Sequence, residues 1–343
     1  MTVLLSKAEK SYIQASLQAD PSLRGDGRGL LDFRALALET GVSPLTNGSA
    51  RVRIGTGDGG TEVLAAVKLE VEDVGKDDGV DGGRLNCSVT CLPSAYPHLA
   101  PTALDELSAD LSALLHTTLA HPSLLPSNLT IIPNKKSWVA HLDCVLRSDG
   151  GNALDALFVA ARAALWDTKV PRTRSVEYKA HGRGAGAGAA KGDDTAAMDV
   201  EGAAAGENED ASGFDTRQIL RATDFELPDY WDEGEPLGNR ERWPVCVTLN
   251  VLPPLYYLDA TAPEEVSTPL RLVLLFSFPA TPAEPVLQGM RLLGAGETDL
   301  SLISKLISEG RKHAQELHAA LEVKLRDEDL RRNEKARLRF STR

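Results

Sequence analysis

Apolar residues recur at every second position through much of the first third of the chain. Val63, Ala65, Val67, Leu69 and Val71 alternate with more polar neighbours, as do Leu85, Cys87, Val89 and Cys91, and this predicts strands. Most of 32–92 follows the same period, with glycine-rich and acidic turns at 55–60 and 75–83. Ahead of it, Ser6 and Glu9 form a capping box for a helical stripe of Tyr12, Ile13 and Leu17, which Pro21 and the glycines at 25, 27 and 29 end. The period then lengthens. Leu104, Leu107, Leu111, Leu114 and Leu115 predict a helix over about 102–121.

Strands return at 129–132 and 137–146, and Gly150-Gly151 opens a helix from Ala153 to Asp167 with Leu154, Leu157, Phe158, Ala161 and Leu165 on one face. Val245, Val247, Leu249 and Val251 alternate again, then Tyr256 and Leu258, then Leu270 to Phe278. Leu300, Ile303, Ile307, Ala314, Leu317 and Leu321 predict a long closing helix from about Asp299. Its continuation, 326–343, holds seven basic and four acidic residues and reads as a solvated helix end or a tail. Strands followed by helix, twice over, predict an α+β fold of two similar halves. The strands at 245–251 and 270–278 are more apolar than one covered face requires. That pattern suits burial against a partner, and it equally suits a sheet covered on both faces within the chain.

Residues 181–213 break every period. Ten Ala, eight Gly and seven acidic residues against Arg183 and Lys191 leave little to bury, which predicts a disordered insertion. It carries −5 of the overall −12. An acidic chain argues against a broad basic face coating nucleic acid, although a local basic patch remains compatible with RNA contact. No run of about 18 apolar residues is present, and the apolar stretch near Met1 is too short for a secretory leader. Cys87, Cys91, Cys144 and Cys246 lack zinc or disulfide spacing, which predicts reduced thiols, no metal and a nuclear or cytosolic setting. The sequons at Asn47, Asn86 and Asn128 are therefore read as chance.

Gly55-Thr56-Gly57-Asp58-Gly59-Gly60 has dinucleotide-site spacing, but a strand pattern follows it instead of the helix that would hold a pyrophosphate. It reads as a hairpin turn. Asp149-Gly150-Gly151-Asn152 does precede a helix, where free backbone N–H groups suit an anion; a tight capped turn explains the same residues. Asp259, Glu264 and Glu265 cluster in what reads as a loop and either hold a metal or are ordinary acidic surface. His141 falls opposite the apolar positions of its strand, as a surface residue would.

Together several segments resemble the RNase PH superfamily. They are Arg24-Gly-Asp-Gly-Arg28, Gly48-Ser-Ala-Arg-Val-Arg-Ile-Gly55, His141-Leu-Asp-Cys-Val-Leu-Arg-Ser-Asp-Gly-Gly-Asn152, Pro244-Val-Cys-Val-Thr-Leu249 and Leu258-Asp-Ala-Thr-Ala-Pro-Glu-Glu265. The resemblance runs from about residue 5 to 325. It implies an RNase PH-like fold of two βαβ-type halves (ribosomal protein S5 domain 2-like), with 1–28 as an N-terminal helix and turn. Residues 29–178 and 214–325 would be the two halves, 179–213 the insertion and 326–343 a charged tail.

Active members of that family cleave RNA from the 3′ end with inorganic phosphate, which arginines hold, and with an acidic pair. Their Asp-Gly-Gly turn continues with Thr-Arg, whereas this chain has Asn152 and Ala153. Their other phosphate arginines lie in the helix placed here at 102–121, yet no arginine occurs between Arg84 and Arg147. Asp259 matches the acidic pair, and Glu265 replaces its second Asp. Losing the donors that meet transition-state charge predicts a chain that is not an enzyme, with Asp259 and Glu265 vestigial.

The opening Leu5 to Ile13 resembles the non-catalytic ring subunits of the eukaryotic RNA exosome. That likeness implies a scaffold that completes a ring and an RNA channel for 3′-to-5′ RNA decay and rRNA maturation. Its implied partners are other RNase PH-like subunits (component six as direct neighbour), S1-domain cap proteins, an associated catalytic nuclease and RNA. The implied location is nucleus, nucleolus and cytoplasm, with no cofactor and no membrane. Arg51, Arg53, Lys135, Lys136, Arg172 and Arg174 are the candidate RNA contacts, with ordinary surface charge as the competing reading. Arg24, Asp26 and Arg28 are expected to hold the opening turn. The alternative is a phosphorolytic exoribonuclease using Asp259 and Glu265 with a neighbour's arginines.

Overall fold

The computed structural model describes residues 5–74, 82–176, 224–227, 234–279 and 284–341. The insertion expected at 179–213 lies outside the described residues. Helix α1 (Lys7–Gln18) starts on the capping box, with the Ser6 N–H donating to Glu9 at 2.7 Å. Strands β1 (Leu36–Thr40), β2 (Gly48–Ile54) and β3 (Thr61–Asp73) form an antiparallel meander. The glycines at 55–60 make the β2–β3 hairpin turn, with positive φ at Gly55 and Gly57.

Strand β4 (Arg84–Cys91) leads through α2 (Pro101–Leu119) and β5 (Thr130–Ile132) to β6 (Lys136–Ser148), which runs parallel to it. The first sheet is ordered β1-β2-β3-β6-β4, with β5 beside β6. Strand β4 is an edge, and α2 covers it with hydroxyls: Ser112 accepts from the Val89 N–H at 2.8 Å and Ser108 from the Cys91 N–H at 3.1 Å.

Helix α3 (Ala153–Asp167) is the centre of the molecule. Every residue from Asp155 to Asp167 is buried, and its alanines let β strands approach on two sides. Beyond it lie the short strands β7 (Lys169–Val170), β8 (Arg174–Val176), β9 (Asp224–Glu226) and β10 (Glu235–Pro236), paired β7 with β10 and β8 with β9. The second half comprises β11 (Val245–Leu252), β12 (Leu255–Tyr257), α4 (Ala262–Ser267), β13 (Leu270–Ser277), β14 (Val286–Gly294) and α5 (Leu300–Ser341). Its sheet is antiparallel, ordered β12-β11-β13-β14.

The apolar excess of β11 and β13 is explained within the chain. Val247, Leu249, Val251, Leu272, Leu274 and Phe276 pack with Leu306 and Ala314 of α5, while Val273 and Leu275 join the core built around α3. All eight β11 residues are buried this way, so the strand pattern gives no support to a partner on this sheet.

Three further expectations need correction. The acidic stretch read as a loop contains α4, which Thr261 and Glu264 start with their own capping box. Strand β14 was not anticipated, because as an exposed edge it mixes glycine and apolar residues without a clean period. Helix α5 runs on past 325 as a helix end, but its first turn there is not solvated. The buried residues Leu325 and Glu328 continue its inner face, the Trp166 indole donates to Asp329 at 2.9 Å, and Arg332 pairs with Asp167.

Candidate functional site

The turn before α3 is set by close backbone approach. A Cβ on Gly150 would overlap the Gly59 carbonyl, and one on Gly151 (φ +97°) would overlap the Ala260 carbonyl. Asn152 follows in the left-handed region at φ 60° and caps α3 without a side-chain bond to the helix. The N–H groups ahead of the helix are already occupied: Gly150 donates to Thr61 Oγ1 at 3.0 Å, Gly151 to Asp149 at 2.8 Å and Asn152 to Glu265 at 3.1 Å. Two of those acceptors are carboxylates of this chain, which opposes an anion at the same place.

Asp259 lies opposite this turn, fully buried and at φ 45°. Its Oδ2 accepts from Arg28 Nη1 (3.0 Å), the Arg34 N–H (2.7 Å) and Arg34 Nε (2.9 Å). Its Oδ1 accepts from Arg34 Nη2 (2.7 Å) and Asn152 Nδ2 (3.0 Å). A carboxylate offers about four lone-pair sites, so this one has no capacity left for a metal or a leaving group. Burial pushes its carboxyl up, but Arg34 and Asn152 outweigh that and hold it below the usual range.

Arg24 is buried alongside, donating to Glu264 at 2.7 and 3.0 Å and to the Leu258 and Asp259 carbonyls. Burial disfavours its charge, yet Glu264 wins and the guanidinium stays protonated beyond its ordinary range. Asp26 pairs with Arg28 at 2.6 Å. Arg24, Asp26 and Arg28 thus tie the N-terminal turn to the Asp259 segment.

Between the two halves a cleft of about 310 Å³ opens at the start of α3, lined by Asp110, Asp149, Asn152, Glu265, Arg271 and Arg291 among others. Arg271 pairs with Glu265, and Arg291 with Asp110 at 2.8 Å. These arginines stand on one face of β13 and β14, since Arg271 faces Leu293 and Val273 faces Arg291 across the ladder. Burial lowers the Arg271 guanidinium and pushes the Tyr96 phenol up. Arg34, Arg271 and Arg291 were not singled out from the sequence: Asp259 and Asp110, which bind Arg34 and Arg291, lie far along the chain, and Arg271 meets Glu265 only through the fold of α4 against β13. Asp259 and Glu265 both reach the α3 turn but do not face each other as a matched pair: one is sealed by arginines and the other lines the cleft. Among the described residues no group of three or more His, Cys, Asp or Glu is placed to hold a metal ion.

The six basic candidates fall into two separate regions. Arg53 pairs in register with Glu62 near the start of β3, whereas Lys136 pairs with Asp73 at its end. The 13 residues of β3 keep these ends roughly 35 Å apart. Arg51 binds Glu62 at 2.8 Å, a carboxylate shared with Arg147, and Arg53 donates to the Gly57 carbonyl. Lys136 binds Asp224 at 3.0 Å, Arg172 binds Glu235 at 3.2 Å, and Arg174 stands opposite Glu226. Lys135 lies in the turn before β6. His141 sits half-exposed beside Glu70.

Residues 32–171, which include the first sheet, α2 and α3, match the RNase PH family, the 3′ exoribonuclease family, domain 1. That stretch is similar to an RNase PH domain. Exosome complex component Rrp42 of Sulfurisphaera tokodaii is 38% identical to the chain over 151 residues, 44% of this chain and 53% of that protein. The Saccharolobus solfataricus component of the same name is 37% identical over 152 residues, 44% of this chain and 54% of that protein. The chain thus spans about half the length of these relatives. A subunit of the Archaeoglobus fulgidus exosome with RNA bound to the active site superposes with a TM-score of 0.62 at 22% identity, covering 91% of this chain and 97% of that one. The likeness extends the RNase PH-like fold through the second half.

Proposed function

We propose that this chain is a non-catalytic structural subunit of an RNA exosome core ring, of the kind represented by exosome component seven. The observation that carries the reading is Asp259. The acid that matches the family's catalytic pair is buried under five hydrogen bonds from Arg28, Arg34 and Asn152, and so acts as a structural anchor. Asn152 and Ala153 stand where active members place Thr-Arg, and the archaeal relatives are named as exosome components. The subunit would help build the ring and RNA channel for 3′-to-5′ RNA processing and decay, including rRNA maturation, in nucleus, nucleolus and cytoplasm. Its partners would be other RNase PH-like subunits (component six as direct neighbour), S1-domain cap proteins, a catalytic nuclease and RNA, with no cofactor.

A second reading rests on Arg271 and Arg291, two guanidiniums that reach the cleft from β13 and β14 and could stand in for the missing phosphate donors. The carboxylates that bind both weigh against it. The deciding experiment is phosphorolysis of single-stranded RNA by the chain alone and co-expressed with RNase PH-like partners, with mass recorded on the same samples. A stable hetero-oligomer without nucleoside diphosphate release is expected. Phosphate-dependent release that disappears in Arg271→Ala or Arg291→Ala would overturn the scaffold reading.

A further inference from the structure

The cleft at the start of α3 is lined by three carboxylates, Asp110, Asp149 and Glu265, against two guanidiniums, Arg271 and Arg291. One negative charge is therefore in excess. Asp110 is spent on Arg291 and Glu265 on Arg271. Asp149 is held by neutral donors instead, the Gly151 N–H at 2.8 Å and the Tyr96 hydroxyl.

Two buried amides on the same cleft add to that surplus of acceptors. Asn152, 5% exposed, turns its Nδ2 to Asp259 at 3.0 Å, and Asn250, 1% exposed, turns its Nδ2 to the Tyr257 carbonyl at 3.3 Å. A carboxylate and a carbonyl can only accept, so these contacts fix which way round each amide stands. The two Oδ1 atoms are left buried with no hydrogen-bond partner among the described residues. Of the side chains lining the cleft, these two hold the buried polar atoms that lack a partner, and both atoms are acceptors. A buried acceptor without a donor is costly, so a ligand that brings N–H groups and positive charge gains most here. Leu107 and Leu111 of α2, Leu154 of α3 and Leu293 of β14 supply the apolar part of the wall. A volume of about 310 Å³ with such walls suits one long side chain, its methylene stem on the leucines and its cationic tip among the acceptors.

We propose that this cleft is a receptor for one basic side chain, arginine or lysine, of another polypeptide. The choice of a protein side chain over a free polyamine rests on the exosome-ring reading, in which other subunits pack against this chain. The same excess of negative charge works against inorganic phosphate at this place.

The test titrates the full chain with Nα-acetyl-arginine methylamide, Nα-acetyl-lysine methylamide and the uncharged norleucine derivative. Binding is read by NMR on the side-chain amide signals of Asn152 and Asn250. Saturable shifts of both signals with the two cationic probes, and none with norleucine, are expected. Asp149→Asn should weaken binding about tenfold or more, because it removes the excess charge. Arg291→Gln should strengthen it by a similar factor, because three carboxylates then face one guanidinium. Unfolding curves establish that each variant is folded. No saturable shift with either cation would overturn the proposal, as would affinities that move in the opposite directions in the two variants. Inorganic phosphate shifting the same two amide signals at lower concentration than the cations would overturn it as well. Spermidine binding as tightly as the arginine derivative would overturn the side-chain assignment in favour of a free polyamine. Because binding is read on the chain alone, failure to form a hetero-oligomer would count against the ring reading and would not by itself remove the cation site.

Discussion

Asp259 shows how a single carboxylate can be kept charged without access to water. Arg34 supplies three of its five donors, two from the guanidinium and one from the backbone. Replacing Arg34 by Leu should leave the carboxylate short of partners and cost about 3 kcal/mol, read from urea unfolding midpoints. Wild-type stability in that variant would show that Arg28 and Asn152 suffice. Asp155 has the opposite bias. Burial raises its carboxyl from 3.8 to about 6, against hydrogen bonds from Thr248 and Cys246 that lower it. A raised folded-state value favours the native state while the group is protonated. That contribution is complete below 3.8 and is lost as pH rises through about 6, a change on the order of 3 kcal/mol. Asp155→Asn should flatten the pH dependence of unfolding free energy in that window, and a slope that survives the substitution would assign it elsewhere. Asp259 acts with the reverse sign and lower down: its depressed value gives stability that is present above 3.8 and lost as pH falls below it.

At the level of elements, α5 does two jobs. Leu306 and Ala314 cover the second sheet, while Leu321 and Leu325 join the core of the first half. The turn beyond Leu325 holds Trp166, Arg240 and Asp167 through Asp329 and Arg332. A chain ending at Arg332 should keep wild-type stability, whereas one ending at Leu325 should lose about 3 kcal/mol or more, because Asp167 is then buried without its cation. Equal denaturation midpoints for the two would mean that the last anchoring turn is dispensable. The alternating strands and the two long helices were readable because one face of each is apolar at a regular period. Strand β14 and helix α4 were not, since an edge strand with three exposed apolar residues has no period and α4 is only six residues long.

At the scale of the whole molecule, α3 is the shared wall between two sheets. Thr248 of β11 donates its hydroxyl to Asp155 of α3 at 2.7 Å, and the first sheet packs on the same helix from its other side. Both faces of β11 are therefore dry in the isolated chain. Its amides should exchange with solvent as slowly as global unfolding allows, with no added protection when a ring partner binds. Fast exchange that slows only on assembly would restore the partner as the cover for that sheet.

The chain's hydrophobic periods by themselves determined the order and type of most elements, because burial of one face imposes a repeat of two on a strand and near 3.6 on a helix. Set beside the RNase PH superfamily that it resembles, the sequence also lacks the arginines that the resemblance implies for phosphate, since residue identity is read without distances. Only the tertiary structure decided what Asp259 does. Arg34 lies 225 residues away in sequence, and no local pattern encodes a hydrogen bond formed by packing two halves together. The same holds for Arg271 and Arg291, which share the cleft through strand register, and for β11, whose apolar run fits a partner or a second layer of its own chain equally well. Periodicity reports that a face is covered; what covers it depends on how the chain closes on itself.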